Sequence, residues 1–440
     1  MPAPSRSVTV PVPQSREHHV AAPAHGARIT LRVATSVRRL LPVLLTAGLL
    51  TATDRLAAQR TASQSLNPDI SAIGDLFFDL SPTRPRFTED GTRFALAEVE
   101  LGIQAFVDPF FRADFFLGLH GGEIEVEEGY VTALALPGEL QAKLGRFHLP
   151  FGKINLTHRP ELLTVEYPHV HQQYFSGEGF RSTGVGLSRI LAPFGIYQEL
   201  QVYVLSGLGA DAHAHEEDGE AHEAEDEEAL PDEYEIAEAE RSGLEQFAFL
   251  AHLRTYADLS AATNIEVGLS AAAGHVERVL APFCIPDTAC PTTLETTLRG
   301  QRFVGANVIV RWRPPAQGRY RSFQWSAEVV GNDGPESTVW GWFTQVQWQL
   351  GRRSYIAARF DAVQAAGEQH VHFSPARGVE VEADEGGDWF RAASGYLTFF
   401  PSEFSRFRLG IERSFGTGDG NWRAVLQTTF SIGPHRPHAF

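Results

Sequence analysis

Apolar and polar positions alternate with period two along most of this chain. In "TVWGWFTQVQWQL", Trp340, Trp342, Thr344, Val346, Trp348 and Leu350 fall on one face, with Gln345, Gln347 and Gln349 on the other. In "FALAEVELGIQAFV", Ala95, Ala97, Val99, Leu101, Ile103 and Ala105 oppose Glu98, Glu100 and Gln104. Successive side chains of an extended strand point to opposite sides, so this pattern predicts strands with one apolar face. After Gln59 no segment sustains a 3.6-residue apolar period, and none has 18 consecutive apolar residues, which excludes helical membrane spans.

The alternating runs are 10 to 14 residues long. Globular strands are about half that length, whereas a tilted strand crossing a bilayer needs roughly 9–11 residues. Short turns are predicted at 107–110, 136–139, 193–195, 259–262, 314–319, 351–353 and 401–405. Between them fall mostly longer connections at 81–92, 120–123, 148–182, 209–243, 277–299, 332–337, 365–388 and 416–421. Together they join sixteen strands running from about Ile70 to Gly433. An even strand count, short turns at one end and long loops at the other predict an all-β fold, a transmembrane antiparallel β-barrel of the bacterial outer membrane. Closure removes the strand edges that lipid could not satisfy.

Outside residues 70–433, three segments are set apart. Residues 1–58 contain a basic flank (Arg38, Arg39), an apolar run from Leu40 to Leu50, and Ala57-Ala58, the three-part pattern of a removable export signal. Met1 is the only Met, so a non-Met start near Val33 is an alternative. Residues 59–69 form a periplasmic lead. The tail at 434–440 carries Pro434 and Pro437, which do not suit a strand. An exported chain reaches an oxidising compartment, where Cys284 and Cys290 in "CIPDTAC" are expected to form a local disulfide.

Charge changes the picture at two places. Without the seven Arg, one Glu and one Asp before residue 59, the chain carries 30 basic against 52 acidic residues, a net of −22. That argues against nucleic acid as a partner. Residues 211–240 hold fifteen of the carboxylates and no Lys or Arg, and lie in a predicted outward loop, 209–243. Within the strands, Glu98, Glu100, Asp114, Glu125 and Glu127 are expected on one side of the lumen. Arg311, Arg313, Arg359, Arg406, Arg408 and Arg423 are expected on the other, making a transverse field in a wet pore. Arg112, Lys143, Glu328 and Glu412 break this segregation.

The stretch "LQAKLGRFHLPFGKIN" at 140–155, preceded by "IEVEEGYVTALALPGELQ", resembles the phosphate-selective porin O/P superfamily. The "FSIGPHRPHAF" terminus is similar to a branch of porin-like barrels with a Pro-His-rich tail. The resemblance implies sixteen strands, with the third loop, 148–182, folded inward as a constriction. It also implies a lysine-lined lumen, which two Lys, Lys143 and Lys153, do not rebuild.

Candidate chemistry lies in three His-x-His pairs, His169 with His171, His213 with His215 and His370 with His372, all expected in outward loops, with His222 beside the second. Alternate residues of an extended chain share a face, so each pair offers two imidazoles to one ion of the Zn²⁺ type, with carboxylates nearby. No nucleotide-binding loop and no Gly-x-Ser-x-Gly elbow accompanies His120 or His252, so no enzymatic activity and no resident cofactor are expected. The expected function is a porin-like channel for small hydrophilic solutes, cation-preferring. The alternatives are a metal-acquisition barrel and a non-conducting surface barrel for adhesion or masking. Expected partners are outer-membrane lipid, small solutes or ions, and the barrel-assembly machinery; a homotrimer is compatible with the sequence.

Overall fold

The computed structural model describes residues 68–82, 92–120, 123–208, 234–237, 239, 241–282, 292–374, 378–415 and 422–433. Residues 211–233 of the acidic stretch with His213, His215 and His222, the Cys284–Cys290 pair, and the segments 1–58 and 434–440 lie outside these residues.

The first five strands are β1 (Asp69–Asp79), β2 (Phe94–Phe106), β3 (Phe111–His120), β4 (Glu123–Leu136) and β5 (Leu140–His148). Beyond a long inward loop come β6 (Arg181–Leu191), β7 (Tyr197–Leu205), the short β8 (Glu235–Ile236), β9 (Ala248–Ser260) and β10 (Thr263–Val279). The short β11 (Thr293–Leu294) precedes β12 (Thr296–Trp312), β13 (Phe323–Asp333), β14 (Thr338–Gln349) and β15 (Ser354–Gln364). A hairpin of β16 (Gln369–Ser374) and β17 (Gly378–Ala383) leads to β18 (Trp389–Ser402), β19 (Ser405–Phe415) and β20 (Trp422–Ile432).

Sixteen of these strands, all but β8, β11, β16 and β17, pair in order into a closed antiparallel barrel. Pairing of β1 with β20, from Ala72 opposite Ile432 to Asp79 opposite Val425, closes it. No helix among the described residues is long and apolar enough to cross a membrane. The strands cross instead, and every predicted connection falls between two barrel strands.

The alternation is inverted relative to a soluble sheet. Trp340, Trp342, Val346, Trp348 and Leu350 are exposed on the outside, while Phe343, Gln345 and Gln349 are buried towards the axis. Eight residues separate Trp340 from Trp348, about 26 Å along a strand and roughly 20 Å of membrane depth at a tilt near 40°. Exposed Phe399, Phe407, Phe415, Trp422 and Phe430 continue the aromatic exterior on β18–β20. A closed barrel with this exterior is an outer-membrane protein: lipid covers the apolar face, and every ladder is satisfied within the wall.

The lumen is not empty. Residues 149–180 fold inward as the resemblance implied, through 3₁₀ turns at Ile154–Leu156 and Arg159–Glu161 and the helix α1 (His169–Tyr174). Phe147, Leu149, Phe151, Val170, Tyr174, Phe175 and Phe180 form an apolar core with Phe303, Val330, Phe343 and Val363 of the wall.

Candidate functional site

The inward loop is clipped at its base. Asn155 donates to the carbonyls of Leu149 and Phe180, both at 2.8 Å, and accepts from the Phe180 amide at 2.7 Å. Both strand exits are thus tied together by one buried amide side chain. The Pro-Phe-Gly turn seats the entry. Phe151 packs edge-on against Phe175, Phe180 and Phe303, while Phe175 and Phe180 stack in parallel with centroids 4.4 Å apart. Gly152 has φ +67°, and a Cβ there would collide with the Glu328 carboxylate. Only Gly meets both demands without strain. Its amide donates to Ser270 Oγ at 3.0 Å, and Ser270 Oγ lies 2.9 Å from His252 Nδ1. This Ser–His contact therefore seats the loop.

On one side the loop is held by arginines. Arg408, fully buried, donates to the carbonyls of Leu162 (2.6 Å) and Thr164 and to Gln427 Oε1 (2.9 Å). Arg359 reaches Asp361 (2.7 Å), Thr164 Oγ1 (2.9 Å) and the Glu166 carbonyl (2.8 Å). Arg423 bridges Glu412 (2.7 Å) and Glu166 (3.1 Å), and Arg406 bonds Thr429 Oγ1 at 2.8 Å. Arginine suits this work because its planar fork satisfies several fixed oxygens at once.

On the other side the loop presents a single imidazole to carboxylates. His158 Nδ1 lies 2.6 Å from Glu100 Oε2 and 3.5 Å from Glu127 Oε2, and Nε2 lies 3.2 Å from Glu128 Oε2. All four side chains are buried. Burial opposes charge on His158, but Glu100 and Glu128 outweigh it and hold its pKa well above the usual imidazole range. Glu128 also accepts from the His148 amide at 2.6 Å.

A break in register brings two adjacent carboxylates inward. Phe116 pairs with Glu128 but Leu117 pairs with Val126, leaving Glu127 as an extra residue. Such a bulge shifts the alternation by one. Ile124 and Val126 face out on one side of it, and Glu128 and Tyr130 face in on the other. Strict alternation would have aimed Glu128 at lipid; a carboxylate in that position was the available signal of a bulge.

Beside the loop lies a cavity of about 130 Å³ against β12–β14, bordered by Lys153, Thr157, Glu161, Asn307, Arg311, Gln324, Gln345 and Phe343 among others. Burial pushes the Lys153 ammonium down to about 7; Glu266 opposes the shift, while Arg254 and Arg311 reinforce it.

The residues predicted to line the lumen are distributed unevenly. Glu98, Glu100 and Glu127 are buried near the loop, and Glu125 is half exposed, paired with Arg146 (3.2 Å) and Arg181 (3.1 Å). Asp114 is buried beside Arg112 (2.6 Å). Arg311 borders the cavity and meets Glu266 at 3.0 Å. Arg313 departs from expectation: it sits beyond the end of β12, exposed, with Nε on the Gly318 carbonyl. A strand register carried one residue too far put it on the wall.

The His pairs also differ from one another. His169 and His171 are on α1, where residues two apart point to opposite sides, not on an extended outward loop. His169 Nε2 faces Glu412 at 3.2 Å and His171 Nε2 faces Glu328 at 2.8 Å, on separate walls, so they do not meet at one ion. His370 and His372 do share a face of the β16–β17 hairpin, with Asp384 at 3.5 Å and Glu380 at 3.6 Å.

No family model matches the chain. A protein of Aquifex aeolicus (strain VF5) described as uncharacterized is 26% identical over 374 residues, covering 79% of this chain and 70% of that protein. Among solved structures, the loop-L8 deletion mutant of OmpT, an outer membrane protein of Vibrio cholerae, is 9% identical with a TM-score of 0.48. It spans 83% of this chain and 99% of that one. The outer membrane channel DcaP of Acinetobacter baumannii (10% identity, TM-score 0.44) spans 83% and 96%. OmpF of Salmonella typhi, in complex with daunomycin (8% identity, TM-score 0.39), spans 83% and 97%. The barrel rests on its own strand pairing and not on these likenesses.

Proposed function

We propose that the protein is an outer-membrane channel for small hydrophilic solutes, with a preference for cations. The observation that carries this reading is the cavity between the inward loop and β12–β14, bordered by polar and charged side chains, which we read as part of a conducting path. Its size restricts traffic to ions and small molecules. Lys153 and Glu161 of the loop and Arg311 and Glu328 of the wall all border it, so the passage itself is close to balanced in charge. The cation preference then comes from the fifteen carboxylates of residues 211–240, in the connection between β7 and β9. Phosphate selectivity is not part of the proposal, although the resemblance to porin O/P is retained. Lys143 Nζ lies 3.9 Å from the Tyr130 ring centroid, and Lys153 is the one lysine bordering the cavity. Zero-current potentials in a salt gradient test the reading: a potential of cation-selective sign supports it, and an anion-selective sign contradicts it.

A second reading is favoured by the β16–β17 hairpin, where His370, His372, Glu380 and Glu382 share a face. No three of these donors lie within 4.8 Å of one another, so a Zn²⁺-type ion at the rim would have to draw them together, and the barrel would then concentrate metal above its pore. Assembly as a homotrimer belongs to the same set of proposals.

A further inference from the structure

Glu100 on β2, Glu127 at the β4 bulge and His158 on the inward loop come from three separate segments. Each offers one donor atom, and the three atoms lie within 4.8 Å of one another. Donors about 2.1 Å from a shared ion are themselves roughly 3–3.5 Å apart. The His158 Nδ1 distances of 2.6 and 3.5 Å to Glu100 and Glu127 bracket that spacing. A cavity of about 20 Å³ adjoins the cluster, lined by Glu98, Glu127, Glu178, His148, His158 and Tyr167 together with Arg159 and Arg181. That is room for one occupant of water size.

The cluster is also withdrawn from solvent. Glu98, Glu100, Glu127 and Glu128 are each at least nine-tenths buried around one imidazole. Arg181 is engaged by Glu178 and Glu125. Carboxylates withdrawn from water are held there by cationic neighbours, here His158, Lys143 and Arg181, and a dication among these oxygens would add to that charge. We propose that Glu100, Glu127 and His158 bind one divalent metal ion, with Glu98, Glu128 and His148 around it, and that this ion fastens the inward loop to the β2–β4 wall. One imidazole nitrogen with carboxylate oxygens suits Zn²⁺ or Mn²⁺. The site is separate from the rim hairpin and does not depend on what the channel conducts.

The test uses the full chain in detergent, stripped with EDTA and then equilibrated with Zn²⁺ or, separately, Mn²⁺. Bound metal is measured by mass spectrometry for the wild type, Glu127→Gln and His158→Gln, with folding checked by heat-modifiable gel migration. One equivalent fewer in each folded variant is expected, and equal metal in all three overturns the site. A second readout needs no variant. Trypsin cleavage after Lys153, inside the loop, is expected to slow by about a hundredfold at free Zn²⁺ a hundred times its Kd, because the released loop has no site. EDTA is expected to restore the rate. Cleavage of the wild type that ignores both metals and EDTA overturns the proposal even if the variants fail to fold.

Discussion

Arg408 Nη2 donates to the carbonyl of Leu162 at 2.6 Å across 246 residues of chain, and the same guanidinium holds Thr164. The loop is fastened through its backbone at that wall. Replacing Arg408 with Met would leave two buried carbonyls short of a donor, at about 1–3 kcal/mol for each group. The variant is expected to lower the gel-shift temperature, raise single-channel conductance and speed tryptic cleavage after Lys153. Arg159 adds no tryptic site, since Pro160 follows it.

At the loop's entry, Gly152→Ala combines a left-handed φ with a collision at Glu328. The backbone alone costs about 1–2 kcal/mol. Because Glu328 also holds His171, displacing it loosens α1 as well. A lower unfolding midpoint in denaturant is expected, whereas a Gly138→Ala control carries positive φ with nothing near its Cβ. Its loss should be the smaller of the two.

Lys153 makes the passage sensitive to pH. Its pKa is lowered, so it carries charge below about 7 and loses it as pH rises through that value. Glu161, Arg311 and Glu328 share the passage. Cation preference is therefore expected to increase from pH 6 to pH 8, and Lys153→Met is expected to flatten that change. The zero-current potential at the two pH values is the measurement.

The acidic segment is expected to act by screening-sensitive attraction. Its field reaches about 10 Å at 0.1 M salt and about 3 Å at 1 M. Deleting 211–240 is expected to reduce low-salt selectivity while leaving conductance at 1 M nearly unchanged. Selectivity that survives the deletion at low salt would locate the filter in the lumen.

Much of this architecture was legible because one physical rule, alternation, governs every lipid-facing strand. The connections at 107–110 and 148–182 fall where sequence punctuation put them. What alternation cannot express is a change of parity, which is why Glu128 was missed. His169 and His171 read as an extended pair because the six-residue stretch His169–Tyr174 is too short to carry a helical period; packing of Val170 and Tyr174 into the lumen core makes that segment a helix. Arg359, Arg408 and Arg423 were recognised as a basic wall. Their task of gripping the loop's oxygens depends on contacts some 190 to 260 residues apart in sequence, which no local pattern encodes.

The central claim is that the inward loop, residues 149–180, sets what passes through this barrel. Planar-bilayer recording of the purified chain, beside a variant in which 156–176 is replaced by a short Gly-Ser linker, tests it most directly. Discrete conductance steps for the wild type, and clearly larger steps for the variant with the barrel still heat-modifiable, are the predicted result. Equal steps in the two proteins, or no steps in either, would contradict it.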